Sequence, residues 1–146
     1  MKKYIFFTAL ILQAGTAMAT TAEQIFENGL QSSAHKGIEV RKGTVKSLIE
    51  NALYLDKHLK NHTDPKVFSS IQDIREAIPG LDAVGIFETF LAEDWLQDEN
   101  KPGNIMVSVL YLQQFPKELT RALKRRLTSL SRAVPPLLRN EIAKLL

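Results

Sequence analysis

Apolar residues recur at three- and four-residue intervals along most of this chain, the spacing of helices buried on one face. The cleanest stripe runs from Thr44 to Asn61 and contains Val45, Leu48, Ile49, Ala52, Leu55 and Leu59. A second helix is expected from Asp64-Pro65, an N-cap acid followed by the proline favoured at the first helical position. Its stripe is Val67, Phe68, Ile71, Ile74 and Ile78, and Pro79-Gly80 is expected to stop it. A third helix is expected from Asp82, with Val84, Phe87, Phe90, Leu91 and Trp95, before a polar loop from Gln97 to Asn104. The segment Ile105 to Phe115 is apolar nearly all round, which places it at the centre of a bundle; a buried strand is the competing assignment, because periodicity does not separate the two.

Pro116 to Ala133 reads as a basic amphipathic helix, broken by Pro135-Pro136 and followed by a short helix, Leu137 to Leu146, carrying Leu138, Ile142 and Leu145. Upstream, Thr21-x-x-Gln24 fits a capping box that opens a helix with Ile25, Phe26 and Leu30, and Gly37 lies beyond its end. Residues 38–43 are ambiguous between a loop and an early turn of the next helix. Alternation of apolar and polar residues is too brief to predict strands. The pattern therefore predicts an all-α fold: an irregular bundle of six to seven short helices around a central apolar helix at about 105–115.

The first nineteen residues read differently. Met1-Lys2-Lys3 precedes an apolar run from Tyr4 to Leu12, and Ala17-Met18-Ala19 supplies the small residues of a cleavage site. This is the layout of a bacterial secretory signal peptide, and the run is shorter than the ~20 apolar residues needed to span a bilayer. The expected organisation is a cleavable leader at 1–19 and one helical domain at 20–146, exported to the periplasm or beyond. The chain has no cysteine. That excludes a lipid-anchored lipoprotein, a disulfide scaffold, thiol catalysis and cysteine–zinc sites.

Charge is segregated along the sequence. Between Thr20 and Pro116 there are 9 Lys/Arg against 14 Asp/Glu, a balance of −5, whereas Lys117 to Leu146 holds 8 against 2, a balance of +6. Lys117, Arg121, Lys124, Arg125 and Arg132 fall within about a third of the helical wheel. Leu119, Ala122, Leu123, Leu130 and Ala133 fall on the opposite side. A basic amphipathic helix suits an acidic protein surface or anionic lipid head groups, and export places nucleic acid last among acidic partners, so none is expected. The same strip could equally dock on the acidic remainder of its own chain.

Three charges intrude on apolar arcs: Asp56 between Ala52 and Leu59, Asp94 beside Phe90 and Leu91, and Arg126 between Leu123 and Leu130. An unpaired buried charge costs several kcal/mol, so Arg126 is expected to pair with Asp56 or Asp94; they could otherwise line a pocket, or reach out to the rim. His58 and His62 are four apart, a spacing that can put two imidazoles on one metal. Leu59 stands where a zinc-protease motif requires Glu, and both histidines fall on the polar face of their helix. No nucleophile elbow, phosphate loop or dinucleotide fingerprint is present. The sequence thus favours an exported, non-catalytic interaction protein without a cofactor, a candidate host-directed effector if its bacterium lives with a host. The alternative is a small enzyme or metal-dependent binder built on His58, His62 and the embedded carboxylates.

Overall fold

One expected helix boundary is crossed by the chain and one expected helix does not form as a unit, and the reasons define the architecture. A computed structural model describes residues 32–146; the leader at 1–19 and the helix expected from Thr21 lie outside the described residues. The described chain forms β1 (Ser32–His35), β2 (Ile38–Arg41), α1 (Thr44–His58), α2 (Pro65–Ala83), α3 (Ile86–Thr89), α4 (Pro102–Gln114), α5 (Arg121–Leu130) and α6 (Pro136–Ala143). Short 3₁₀ turns at Asp94–Leu96 and Pro116–Glu118 precede α4 and α5. The fold is an all-α irregular bundle with one small hairpin attached.

α4 is the central helix that the apolar run predicts. Ile105, Met106, Val107, Val109, Leu110 and Leu112 are fully buried, as is Ser108, whose hydroxyl donates to the Ala92 carbonyl at 2.8 Å. α1 and α2 both pack on it, and α1 also packs on α2. The buried face of α1 is Leu48, Ala52, Leu55 and Leu59; α2 contributes Val67, Ile71, Ile74, Ile78 and Leu81. α5 and α6 close the core with Leu123, Leu127, Leu130, Leu138 and Ile142. Burying apolar surface at ~25 cal/mol per Å² supplies the main force holding these helices together.

Pro79-Gly80 does not end the second helix, which continues to Ala83. Proline at position 79 has no N–H to give the carbonyl of Arg75 four residues earlier. Gln114, at the end of α4, fills the gap by donating its Nε2 to the Arg75 carbonyl at 2.9 Å. Tertiary contact thus repairs the break that proline makes. Gln114→Ala should leave that carbonyl unpaired in a partly buried position and cost about 1–2 kcal/mol in urea unfolding.

The ambiguous stretch at 38–43 is neither loop nor helix at its start. β2 pairs antiparallel with β1, with Ser33 opposite Val40 and His35 opposite Ile38. Lys36 and Gly37 have φ of 48° and 79°, which makes a two-residue turn that twists with the strands; Gly37 serves the hairpin and not a helix end. Val40 is the buried anchor, packed toward Gly80 of α2. Each strand is only four residues long, too short for alternation to stand out.

The helix expected from Asp82 through Trp95 is also absent. Gly85, with φ of 84°, turns the chain after α2, and α3 lasts four residues before Phe90 becomes extended. Asp94 then accepts the Leu91 N–H at 2.8 Å, a side-chain substitute for the helical bond. Phe87 stacks on Tyr111 of α4 at 4.0 Å, while Phe90 and Leu91 stay about half exposed.

Candidate functional site

The basic segment Pro116 to Ala133 is divided and not continuous. Pro116 starts a 3₁₀ turn, and Thr120 then caps α5 by accepting the Leu123 N–H at 3.2 Å. Arg121, Lys124 and Arg125 lie on α5 itself, Lys117 on the turn before it and Arg132 on the turn after it. All five are exposed, and none forms an ion pair with a carboxylate among the described residues. Leu123, Leu127 and Leu130 of the same helix are buried in the core, while Ala122 and Ala133, expected on the apolar side, are exposed. The apolar face is therefore spent on folding. What α5 presents outward is charge.

Arg126 does not pair with Asp56 or Asp94. Its Nε donates to the Leu96 carbonyl and its Nη2 to the Gln97 carbonyl, each at 3.0 Å. Those carbonyls end the 3₁₀ turn at 94–96 and have no helical donor there, so the planar fork of arginine closes them. This ties α5 to a segment rich in acids: Glu93, Asp94, Asp98 and Glu99. None of them lies within ion-pair distance of the outward-facing cations. Their field nevertheless tempers the attraction that α5 exerts at a distance.

Asp56 has a different task. Its Oδ1 accepts the N–H of Gly103 at 2.8 Å, at the start of α4. No side chain of the local sequence caps that end, so α1 supplies the carboxylate from across the core. The positive end of a helix dipole stabilises such a charge. Asp94, exposed, also accepts from Gln97 Nε2 at 3.2 Å. The three intruding charges are thus separate backbone caps and do not assemble into an acid–base pair.

His58 and His62 stand at the C-terminal end of α1 and just beyond. Tyr54 stacks on His58 with ring centroids 4.3 Å apart, and Nζ of Lys66, on α2, sits 4.3 Å from the Tyr54 ring. Asp64 accepts the Tyr54 hydroxyl at 2.5 Å and the Lys66 N–H at 2.9 Å. The hydroxyl bond and the backbone bond hold the Asp64 carboxyl below its ordinary value; the same bond to Asp64, reinforced by desolvation, holds the Tyr54 phenol above its own. Both oxygens of Asp64 are committed to capping α2 and anchoring Tyr54. Among the described residues no three of His, Asp and Glu come together as metal ligands. A recess of about 300 Å³ lies nearby, lined by Leu59, Lys60, His62, Pro136, Leu137 and Asn140.

A polar cluster that the sequence does not reveal joins three helices. Arg75 of α2 reaches Gln113 Oε1 at 3.1 Å and Glu141 Oε2 at 3.4 Å, and Gln113 Nε2 donates to the same carboxylate at 2.9 Å. Lys144 reaches the other oxygen at 2.6 Å. Burial pushes the Glu141 carboxyl up, but bonds from Lys144 and Gln113 and the charges of Lys144 and Arg75 outweigh it, and the net shift is downward. A depressed native pKa adds stability above the ordinary value of 4.5 and loses it as pH falls through the native value. Glu141→Gln should therefore be the less stable protein near pH 7, and the gap to wild type should narrow below about pH 4, as read from urea midpoints.

Among the described residues no helix is long and apolar enough to cross a membrane. The chain matches no protein-family model, no curated protein and no solved structure.

Proposed function

We propose that this protein is an exported, non-catalytic interaction factor that holds an acidic partner against α5 and its two flanking turns. Lys117, Arg121, Lys124, Arg125 and Arg132 carry the contact. The observation behind this reading is that all five are exposed and unmatched by any carboxylate of the described residues, on a helix whose leucines are already in the core. Binding by such a surface is electrostatic, reversible and weakened by salt, without insertion of an apolar face into lipid. The leader-like pattern at 1–19 supports placing the partner outside the inner membrane.

Two probes test it and separate lipid from protein targets: vesicles of phosphatidylglycerol and phosphatidylcholine, and soluble poly-glutamate. The protein should bind at least one of them at low ionic strength, ignore pure phosphatidylcholine, and let go as salt passes about 0.3 M. Preference for vesicles assigns the strip to a membrane surface, and preference for the polymer assigns it to an acidic protein. Failure to bind either at low salt would refute the reading.

A further inference from the structure

A groove lies away from α5, between the hairpin and α2. It measures about 630 Å³ and runs along Ile38 to Thr44 on one side and Asp73, Glu76, Ala77, Pro79 and Gly80 on the other. Within a two-residue hairpin the residues flanking the turn, here His35 and Ile38, exchange both backbone hydrogen bonds. Bonded and non-bonded pairs then alternate, so the backbone groups of Glu39 and Arg41 point away from β1. The Arg41 carbonyl is taken by the Thr44 hydroxyl at 2.6 Å. The N–H of Glu39, its carbonyl and the N–H of Arg41 have no backbone partner among the described residues.

A strand edge that no described residue pairs, facing a helix across an open groove, has the geometry by which a sheet accepts another strand. Every second side chain of an added strand would share the face of Ile38 and Val40, and so turn toward α2. There Ala77 and Gly80 keep the wall low, with Val40 packed toward Gly80. One turn away, Asp73 and Glu76 form no ion pair with any described cation. We infer that the groove between β2 and α2 binds an extended peptide segment of another protein. The segment adds to the β2 edge and turns basic side chains, at alternate positions, toward Asp73 and Glu76. This surface is distinct from α5: its α2 wall offers the carboxylates Asp73 and Glu76, while Arg41 and Lys42 stand on its β2 wall.

The test uses a fluorescein-labelled heptapeptide alternating valine and lysine, with a valine–glutamate peptide for comparison, titrated with the full chain and followed by anisotropy. The lysine peptide should bind at least about tenfold tighter. Glu39→Pro removes the N–H offered at the edge and leaves the ladder to β1 intact, so it should weaken binding about tenfold or more. Asp73→Lys with Glu76→Lys touches no strand and should reverse the preference between the two peptides, whereas Glu99→Lys should change neither. Equal affinity for both peptides, no binding of either, or indifference to Asp73→Lys with Glu76→Lys would overturn the inference. Self-association abolished by Glu39→Pro would overturn it too, by giving the edge to a second copy of this chain.

Discussion

Gly103→Ala should destabilise the protein by about 3 kcal/mol or more, enough to lower its Tm by roughly 10 °C. At Gly103 the first turn of α4 lies against the backbone of α1. A Cβ there would sit 1.9 Å from the carbonyl oxygen of Ala52, 2.7 Å from its carbon and 2.9 Å from Asp56 Oδ1. Two of those atoms are helix backbone and do not rotate away, so the helices must separate. Separation would also stretch the 2.8 Å bond from the Gly103 N–H to Asp56, uncapping α4 as it opens the core. Gly80→Ala is the matched control. Its Cβ would meet Val40 at 3.5 Å, an ordinary contact, and alanine favours the helix by up to about 1 kcal/mol over glycine. Thermal unfolding followed by far-UV circular dichroism should show the first variant far below wild type and the second at or above it. Equal behaviour of the two would contradict the close crossing of α1 and α4.

Reversing charge at Arg121, Lys124 and Arg125 together should abolish anionic binding while leaving the fold in place. All three are exposed, and surface substitutions of this kind usually move stability by less than about 0.5 kcal/mol each. A basic residue near an anionic surface contributes about 1 kcal/mol, and reversal exchanges attraction for repulsion, so affinity should fall at least about a hundredfold. Lys57→Glu, on the exposed side of α1, should leave binding within about twofold. Sedimentation with phosphatidylglycerol vesicles measures both. Undiminished binding by the triple variant would place the contact elsewhere.

The core helices were legible because their signal is local. The stripe of α1, the Asp64-Pro65 start of α2 and the all-apolar run of α4 each announce themselves within one window. Misplaced boundaries arise where a distant residue decides. Pro79 stays helical because Gln114, thirty-five positions later, serves the carbonyl that proline strands. Arg126 is half-buried on α5, but its partners are backbone carbonyls, which no charge-pairing argument can find. The hairpin was hidden by strands shorter than the window in which alternation becomes visible, although Lys36-Gly37 marked its turn. Arg75, Gln113 and Glu141 meet only in three dimensions.

The five residues of the basic strip are exposed, as a strip requires. Lost was its continuity, since Pro116 and Thr120 divide it, and the extent to which leucine packing removes its apolar side. That loss sharpens the chemistry, because a surface left with charge alone should follow ionic strength closely.

Lysine reactivity gives the closest view of whether that surface meets an outside anion. Reductive methylation at Lys117, Lys124, Lys46 and Lys57, with and without phosphatidylglycerol vesicles, can be read residue by residue by mass spectrometry. Lys117 and Lys124 should slow about fivefold or more when vesicles are present, and Lys46 and Lys57 should keep their rates. Equal slowing at all four, or unchanged rates at Lys117 and Lys124 while the protein is vesicle-bound, would contradict a contact made through α5.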